Sequence, residues 1–327
     1  MSEESLRIFK ELAERVNREL DKRIELKKPE RFYKAVRWLP MAGGKRLRAV
    51  LPLVIGKMLG TSEEEMMPFA ISLEMIHNFS LVHDDIIDED EFRRNVKTVH
   101  VAFDLPTAII AGDTLFAMAF REISKIPKEG EIVKKVLYEV SKMVIDLAEG
   151  EYEDVEFERR NDVTPEEYIE MVRKKTARIF ECACYCSALI SGASEEICNR
   201  LGSYGLNIGI AFQIQDDILG LIGDPKITGK PVGSDLRKGK KTLLLIYAMQ
   251  DEDKRKELEK IAGRKDLSEE EVKKGIELIT SSGAVEYCKK LAREYVDKAL
   301  SELKGLPEGP YLNFLKDLAN FVVERIM

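Results

Sequence analysis

Cysteine is scarce in this chain of 327 residues, and its five copies (Cys182, Cys184, Cys186, Cys198 and Cys288) are odd in number, which excludes a complete disulfide framework within the chain. The first three are spaced C-x-C-x-C but lie in a helical pattern, where residues two apart do not share a face. None of the three histidines (His77, His83, His100) stands near them. They read as small core residues in a reducing compartment rather than as a metal site. No apolar run reaches the ~20 residues of a membrane span, and the N-terminus lacks the apolar core of a secretion signal. A cytoplasmic protein without a transmembrane segment is expected. Basic charge is not in excess either: a net charge of −7, with no dominant basic stripe, argues against a nucleic-acid surface. No strand alternation, hairpin signal or fixed-period repeat stands out, and no nucleophile–base–acid triad is visible.

What is present reads as helix. Charged residues make up 34% of the chain, above the average, and the abundance of Lys and Glu resembles a thermophile's composition. Ser2 to Leu26 is amphipathic, with Leu6, Phe9, Leu12, Val16 and Leu20 on one stripe. A short segment, Arg31–Trp38, leads into a glycine turn at Gly43-Gly44. Lys45 to Leu59 follows as a buried helix with Lys45, Arg46 and Arg48 in its first turn, where cations oppose the helix dipole unless an anion binds. Further helices are expected at Leu105 to Ile123, Ile132 to Arg160, from Thr164 (cap, proline, then Glu167) to Ile190, Ser194 to Ile222, Leu243 to Met249, Ser268 to Ser281, Ala284 to Leu303 and Pro310 to Ile326. The fold class is all-α, one domain over residues 1–327.

The chain is organised around Leu73 to Arg94, LEMIHNFSLVHDDIIDEDEFRR. An apolar helix pattern (Leu73, Ile76, Leu81) gives way to Asp84, Asp85 and Asp88. Residues four apart share a helix face, so Asp84 pairs with Asp88, and His77 lies on the same side. Carboxylates at a helix end suit Mg²⁺, a hard cation that prefers oxygen, and Arg93 and Arg94 suit phosphate oxygens. Alone, such a cluster is usually a solvated acidic helix end. A second stretch, Ala211 to Thr242 (AFQIQDDILGLIGDPKITGKPVGSDLRKGKKT), repeats the design: Asp216 and Asp217 close an apolar helix and a Gly- and Lys-rich loop follows. Two acidic helix ends with basic residues after each make a metal-bridged anion site the economical explanation, with both ends expected to face one cavity.

The motifs GGKRLR at Gly43–Arg48, DDIID at Asp84–Asp88 with Arg93-Arg94, Lys175-Thr176, FQIQDD at Phe212–Asp217 and GKPVGSDLRKGKKT at Gly229–Thr242 stand in an order and spacing that span essentially the whole chain. In this the chain closely resembles the short-chain trans-prenyl diphosphate synthases, most like the archaeal-type geranylgeranyl diphosphate synthases. The resemblance implies a helical bundle around a deep central cavity, a homodimer, and condensation of isopentenyl diphosphate with allylic diphosphates (dimethylallyl, geranyl, farnesyl). It implies Mg²⁺, about three ions once substrate is bound, on Asp84, Asp85, Asp88, Asp216 and Asp217. Arg93, Lys175, Thr176, Gln213, Lys230 and Lys240 would contact the allylic substrate, with Lys175 and Lys230 aiding catalysis. Gly44, Lys45, Arg48, His77 and Arg94 would form the isopentenyl diphosphate site.

One departure stands out. The family's second motif commonly ends in a third aspartate, where this chain has Gly220; Asp224 is a candidate substitute. For product length, the family uses the positions four and five before the first motif as a floor, here Ser80 and Phe79. That pattern, with no insertion inside DDIID, resembles the twenty-carbon enzymes. Five residues at about 3.6 per turn set Phe79 roughly 140° from Asp84, so the floor role comes from the resemblance and not from the helical wheel. A farnesyl or bifunctional synthase is the nearest alternative. A class I terpene cyclase is disfavoured by the Gly43–Arg48 motif and Arg94, and a non-catalytic synthase subunit by the intact carboxylates.

Overall fold

The computed structural model describes residues 1–223, 233–264 and 266–324. Helices dominate: α1 (Glu3–Arg23), α2 (Glu30–Met41), α3 (Leu47–Met58), α4 (Glu63–Ile87), α5 (Val99–Ala102), α6 (Leu105–Ile123), α7 (Gly130–Phe157), α8 (Pro165–Val172), a π-helical turn (Arg173–Ala177), α9 (Arg178–Ile190), α10 (Glu195–Ile222), α11 (Ser234–Lys238), α12 (Leu243–Ala248), α13 (Glu252–Leu258), α14 (Glu269–Thr280), α15 (Ala284–Glu302) and α16 (Pro310–Glu324). The all-α class holds. Two short strands, β1 (Phe92–Arg93) and β2 (Val96–Lys97), pair antiparallel. They correct the expectation of no hairpin, whose residues are too few for an alternation signal. The short segment expected at Arg31–Trp38 is a longer helix, and Lys45 and Arg46 precede α3 instead of forming its first turn.

The chain divides into two compact, interleaved units. Unit 1 comprises Met1–Val140, Ala183–Gly202 and Gly305–Leu315. Its centre is α4, which packs on α3 and α6 and buries Met66, Phe69, Ile71, Leu73, Met75 and Ile76. Ser62 starts this helix by a reciprocal capping box: its hydroxyl accepts from Glu65 N, and Glu65 accepts from Ser62 N, an arrangement worth about 1 kcal/mol. Glu63, Glu64 and Glu65 in the first turn complement the dipole. The helix stops because Glu89, just past it, takes a left-handed conformation (φ 55°). Unit 2 comprises Ser141–Cys182, Ser203–Lys304 and Lys316–Met327, described to residue 324. In it α12, fully apolar at Leu243–Ile246, packs against α15, α14 and α8. All five cysteines are buried and unbridged, as expected from their helical setting.

Candidate active site

In unit 1 the glycine turn, α4 and the small hairpin bring one cationic group together. Gly43 and Gly44 adopt φ values of 96° and 126°, open to glycine and hostile to other residues. A Cβ on Gly44 would fall 2.9 Å from Arg94 Cζ, so the turn lies flat on that guanidinium. Arg94 donates to Gly43 O, to Leu39 O at 3.2 Å and to Asn78 Oδ1 at 3.4 Å. It reaches them because Arg94 and Asn95 form the two-residue hairpin turn, both left-handed (φ 53° and 62°), as a tight hairpin requires. Burial, with the nearby Arg46, Arg93 and Arg48 charges and against the pull of Glu74, brings Arg94 down to about 10, so it stays cationic at neutral pH. Arg48 lies 3.2 Å from His77 Nε2. Burial and then the surrounding arginines hold His77 well below the usual histidine range, so its neutral ring accepts from Arg48. Lys45 is exposed beside Gly44.

Behind this group lies a buried network absent from the sequence reading. Arg46, in a left-handed conformation at the start of α3, pairs with Glu74 at 2.7 Å, each side chain only 2% exposed. It also donates to Asn17 Oδ1 at 2.8 Å and Pro40 O at 2.5 Å. Asn78 Nδ2 donates to Glu74 O and Oε1, at 2.7 and 3.2 Å, and Asn78 Oδ1 receives Arg94. The chain Arg46–Glu74–Asn78–Arg94 thus links the loop to the hairpin. The signal for it in the sequence was Glu74 and Asn78, four apart in the buried middle of α4.

The three aspartates of the first motif are not equivalent. Asp84 and Asp88 are half-buried, and Asp88 caps α4 with its N–H on Asp84 O at 2.8 Å. Asp85 is fully buried and accepts from Arg93 Nε at 2.5 Å; its Oδ2 has no hydrogen-bond partner among the described residues. Burial raises the Asp85 carboxyl, and Arg93 partly offsets this. Five residues before Asp84, Phe79 packs its ring 5.0 Å from Phe116 of α6 and 4.9 Å from His83, and Phe116 meets Phe120 at 4.8 Å. Ser80 is buried, its hydroxyl on His77 O at 3.0 Å.

In unit 2 the second motif is held by hydrogen bonds. Asp217, buried, accepts from Tyr168 OH at 2.5 Å and from Gln213 Nε2 at 2.9 Å, while Gln213 Oε1 receives Thr176 Oγ1 at 2.9 Å. Burial pushes Asp217 up to about 7; Tyr168 and Gln213 oppose this, and the charges of Asp235 and Asp216 add to it. The missing carboxylate at position 220 has a neighbour: a Cβ on Gly220 would lie 2.9 Å from Asp235 Oδ2. Asp235 stands fifteen residues on, a distance no periodicity reveals. Lys230 and Asp224 fall outside the described residues.

Lys175 and Thr176 sit in the π-helical turn, where an unbroken α-helix was expected. Glycines on both sides admit it: a Cβ on Gly150 of α7 would be 2.4 Å from Lys175 N, and one on Gly209 of α10 would be 2.6 Å from Ala177 Cα. The extra residue of a π-turn lets Thr176 meet Gln213 while Lys175 Nζ donates to Asp154 Oδ2 at 2.6 Å. Lys240 Nζ reaches the same oxygen at 3.0 Å.

Among the described residues, no group of three or more His, Cys, Asp or Glu side chains is arranged to hold a metal ion. The donors fit a hard cation all the same. They are carboxylates, Asp85 has an unpartnered oxygen, and Mg²⁺ commonly takes one or two protein carboxylates plus phosphate oxygens.

The polyprenyl synthetase family model matches residues 29–279. A solved geranylgeranyl pyrophosphate synthetase from Pyrococcus horikoshii superimposes with a TM-score of 0.93 at 39% identity, covering 99% of this chain and 98% of that one. A geranylfarnesyl diphosphate synthase from Aeropyrum pernix is 43% identical over 91% of this chain and 95% of its own length. A geranylgeranyl pyrophosphate synthase from Corynebacterium glutamicum, solved with isoprenyl diphosphate and magnesium, has a TM-score of 0.88 at 27% identity over 97% and 99% of the two chains.

Proposed function

This chain belongs to the polyprenyl synthetase family, and we propose that it condenses isopentenyl diphosphate with allylic diphosphates to make mainly geranylgeranyl diphosphate. It is a trans-prenyltransferase. The observation that carries the substrate reading is the unit 1 cationic group. Gly44 lies against Arg94, and Arg48 against a neutral His77, which suits a polyanionic diphosphate head. With Lys45 these residues take isopentenyl diphosphate. Arg93, Lys175, Thr176, Gln213 and Lys240, together with Lys230, take the allylic diphosphate. Asp84, Asp85, Asp88, Asp216 and Asp217 are the carboxylates for Mg²⁺, and Asp235 stands in for the acid absent at Gly220. Residues 1–327 act as one synthase domain.

Bound Mg²⁺ supplies Lewis-acid neutralisation of the departing pyrophosphate. Lys175 and Lys240 add fixed positive charge where negative charge grows, without proton transfer. The allylic C–O bond breaks with its electron pair leaving on pyrophosphate. The π pair of isopentenyl diphosphate then forms the new C–C bond, and a proton is lost to the pyrophosphate. Phe79, backed by Phe116, forms the floor under the growing chain. The exposed Leu105, Ile109 and Ile110 of α6 and Leu137 and Tyr138 of α7 support a homodimer, which light scattering tests directly: a monomeric mass at micromolar concentration would refute it. The deciding assay combines purified protein, Mg²⁺ and radiolabelled isopentenyl diphosphate, with and without each allylic primer. Product should vanish with a chelator and fall by orders of magnitude in folded Asp84→Ala and Asp216→Ala; near-normal turnover in either would remove that residue from the metal site.

A further inference from the structure

The last turns of α7 carry an acidic face that the mechanism has not used. Glu151 and Asp154 of α7, and Glu158 in the turn just past its end, recur at three- and four-residue spacing, which sets them on one side. Two lysines from distant parts of unit 2 converge on it. Lys175 from the π-turn lies 2.6 Å from Asp154 Oδ2, and Lys240, which follows α11, lies 3.0 Å from the same oxygen. Glu151 Oε2 flanks Lys175 at 2.8 Å, a contact of charges without hydrogen-bond geometry, and Glu158 Oε1 flanks Lys240 at 3.0 Å. The Asp154 side chain is 12% exposed, so the pairing is shielded from water. We propose that Asp154 is a positioning residue that ties Lys175 and Lys240 to one carboxylate oxygen and presents them as a two-ammonium clamp for the allylic diphosphate. Two ammonium groups this close repel each other, and the shared oxygen is what lets them stay together. Burial works against the Asp154 charge, but Lys175 and Lys240 more than compensate and hold the carboxyl below its usual range, so it remains anionic throughout the neutral range. Asp154 itself need not touch substrate.

The inference rests on the reading of Lys175 and Lys240 as allylic-diphosphate contacts, and the test separates the two. Steady-state kinetics with geranyl diphosphate and isopentenyl diphosphate would be run on Asp154→Asn, Asp154→Glu, Lys175→Ala/Lys240→Ala and the triple variant, with thermal melts as the check on folding. Asp154→Asn should lower kcat/KM for geranyl diphosphate at least tenfold and leave KM for isopentenyl diphosphate within twofold. Asp154→Glu, which keeps the charge, should recover part of the loss. Adding Asp154→Asn to the double lysine variant should change kcat/KM by less than twofold, since a residue acting through the lysines has nothing left to act on. If the full tenfold loss persists without the lysines, or if Asp154→Asn behaves as the parent, Asp154 does not position them. If the lysine variant itself keeps parental kcat/KM for geranyl diphosphate, the clamp and the assignment of the lysines both fall. Should Asp154→Asn not fold, the Asp154→Glu variant decides alone, in the parent and in the lysine-free background: a defect of equal size in both overturns the proposal.

Discussion

Glu74→Leu probes the Arg46–Glu74 pair at the base of the proposed isopentenyl diphosphate site. Both side chains are 2% exposed and 2.7 Å apart. Removing the carboxylate leaves a guanidinium in the interior with, among the described residues, the neutral partners Asn17 Oδ1 and Pro40 O. Breaking such a pair costs about 3–5 kcal/mol. Because Glu74 Oε2 has no hydrogen-bond partner among the described residues, the native pair is imperfectly satisfied, and the lower end, about 3 kcal/mol, is expected. A melt followed by circular dichroism should then shift down by roughly 4–5 °C. The companion variant Arg46→Met/Glu74→Leu replaces both charges with apolar groups of similar size and should return to within about 1 kcal/mol of the parent. Its kinetics should not recover. Asn78 has lost the Glu74 Oε1 contact that fixes its amide, and Arg94 depends on that amide, so KM for isopentenyl diphosphate should stay about tenfold raised, equivalent to ~1.4 kcal/mol of binding. A Glu74→Leu protein as stable as the parent would refute the energetic argument. A double variant that regains both stability and KM would show that the network does not position Arg94.

Other outcomes follow from the same geometry. Lys45→Ala, Arg48→Ala and Arg94→Ala should each raise KM for isopentenyl diphosphate more than KM for the allylic primer; an equal or reversed effect would mean that the two sites have been exchanged. Phe79→Ser removes the ring that packs on Phe116 and should move products beyond twenty carbons, read by chromatography after hydrolysis of the diphosphates; unchanged lengths would rule Phe79 out as the floor. His77 is held neutral by burial and by the arginines around it, so below pH ~6.5 the unfolded chain takes up a proton that the folded one resists. Its contribution to stability is therefore fully present above that pH and declines as pH falls, by at most ~1.4 kcal/mol per pH unit. Urea midpoints of the parent and His77→Gln should converge toward acid pH, and a constant difference between pH 5 and 8 would contradict the assignment.

Much of this was legible in the sequence because it depends on local pattern. The cap at Thr164 announced α8, and the apolar run announced α6 to the residue. The motif order named the family before any contact was known. What stayed hidden depends on backbone detail or on distant partners. The Arg94–Asn95 turn needs two left-handed residues and contains no glycine to advertise it. The π-turn at Lys175–Thr176 adds one residue to a helix that remains helical, so no breaker marks it. Asp154 carries no mark in the sequence, because the lysines that share its carboxylate oxygen stand 21 and 86 residues away. Asp235 and Gly220 are neighbours only through the fold, and Asp85 separates from Asp84 and Asp88 because successive helical residues face different surroundings.

The cysteines, set aside first as core filler, have a practical consequence. All five are at most 1% exposed, and burial, with Glu195 near Cys198 and Asp217 near Cys288, pushes those two thiols up to about 11 and about 12. Alkylating reagents attack thiolates that they can reach, so the native chain should be silent toward maleimides at neutral pH. A single reporter cysteine can therefore be added without first removing the others. Phe92→Cys would serve: that position is 62% exposed on the hairpin that carries Arg93 and Arg94. A spin label there would report hairpin motion as each diphosphate binds, on an otherwise unmodified background.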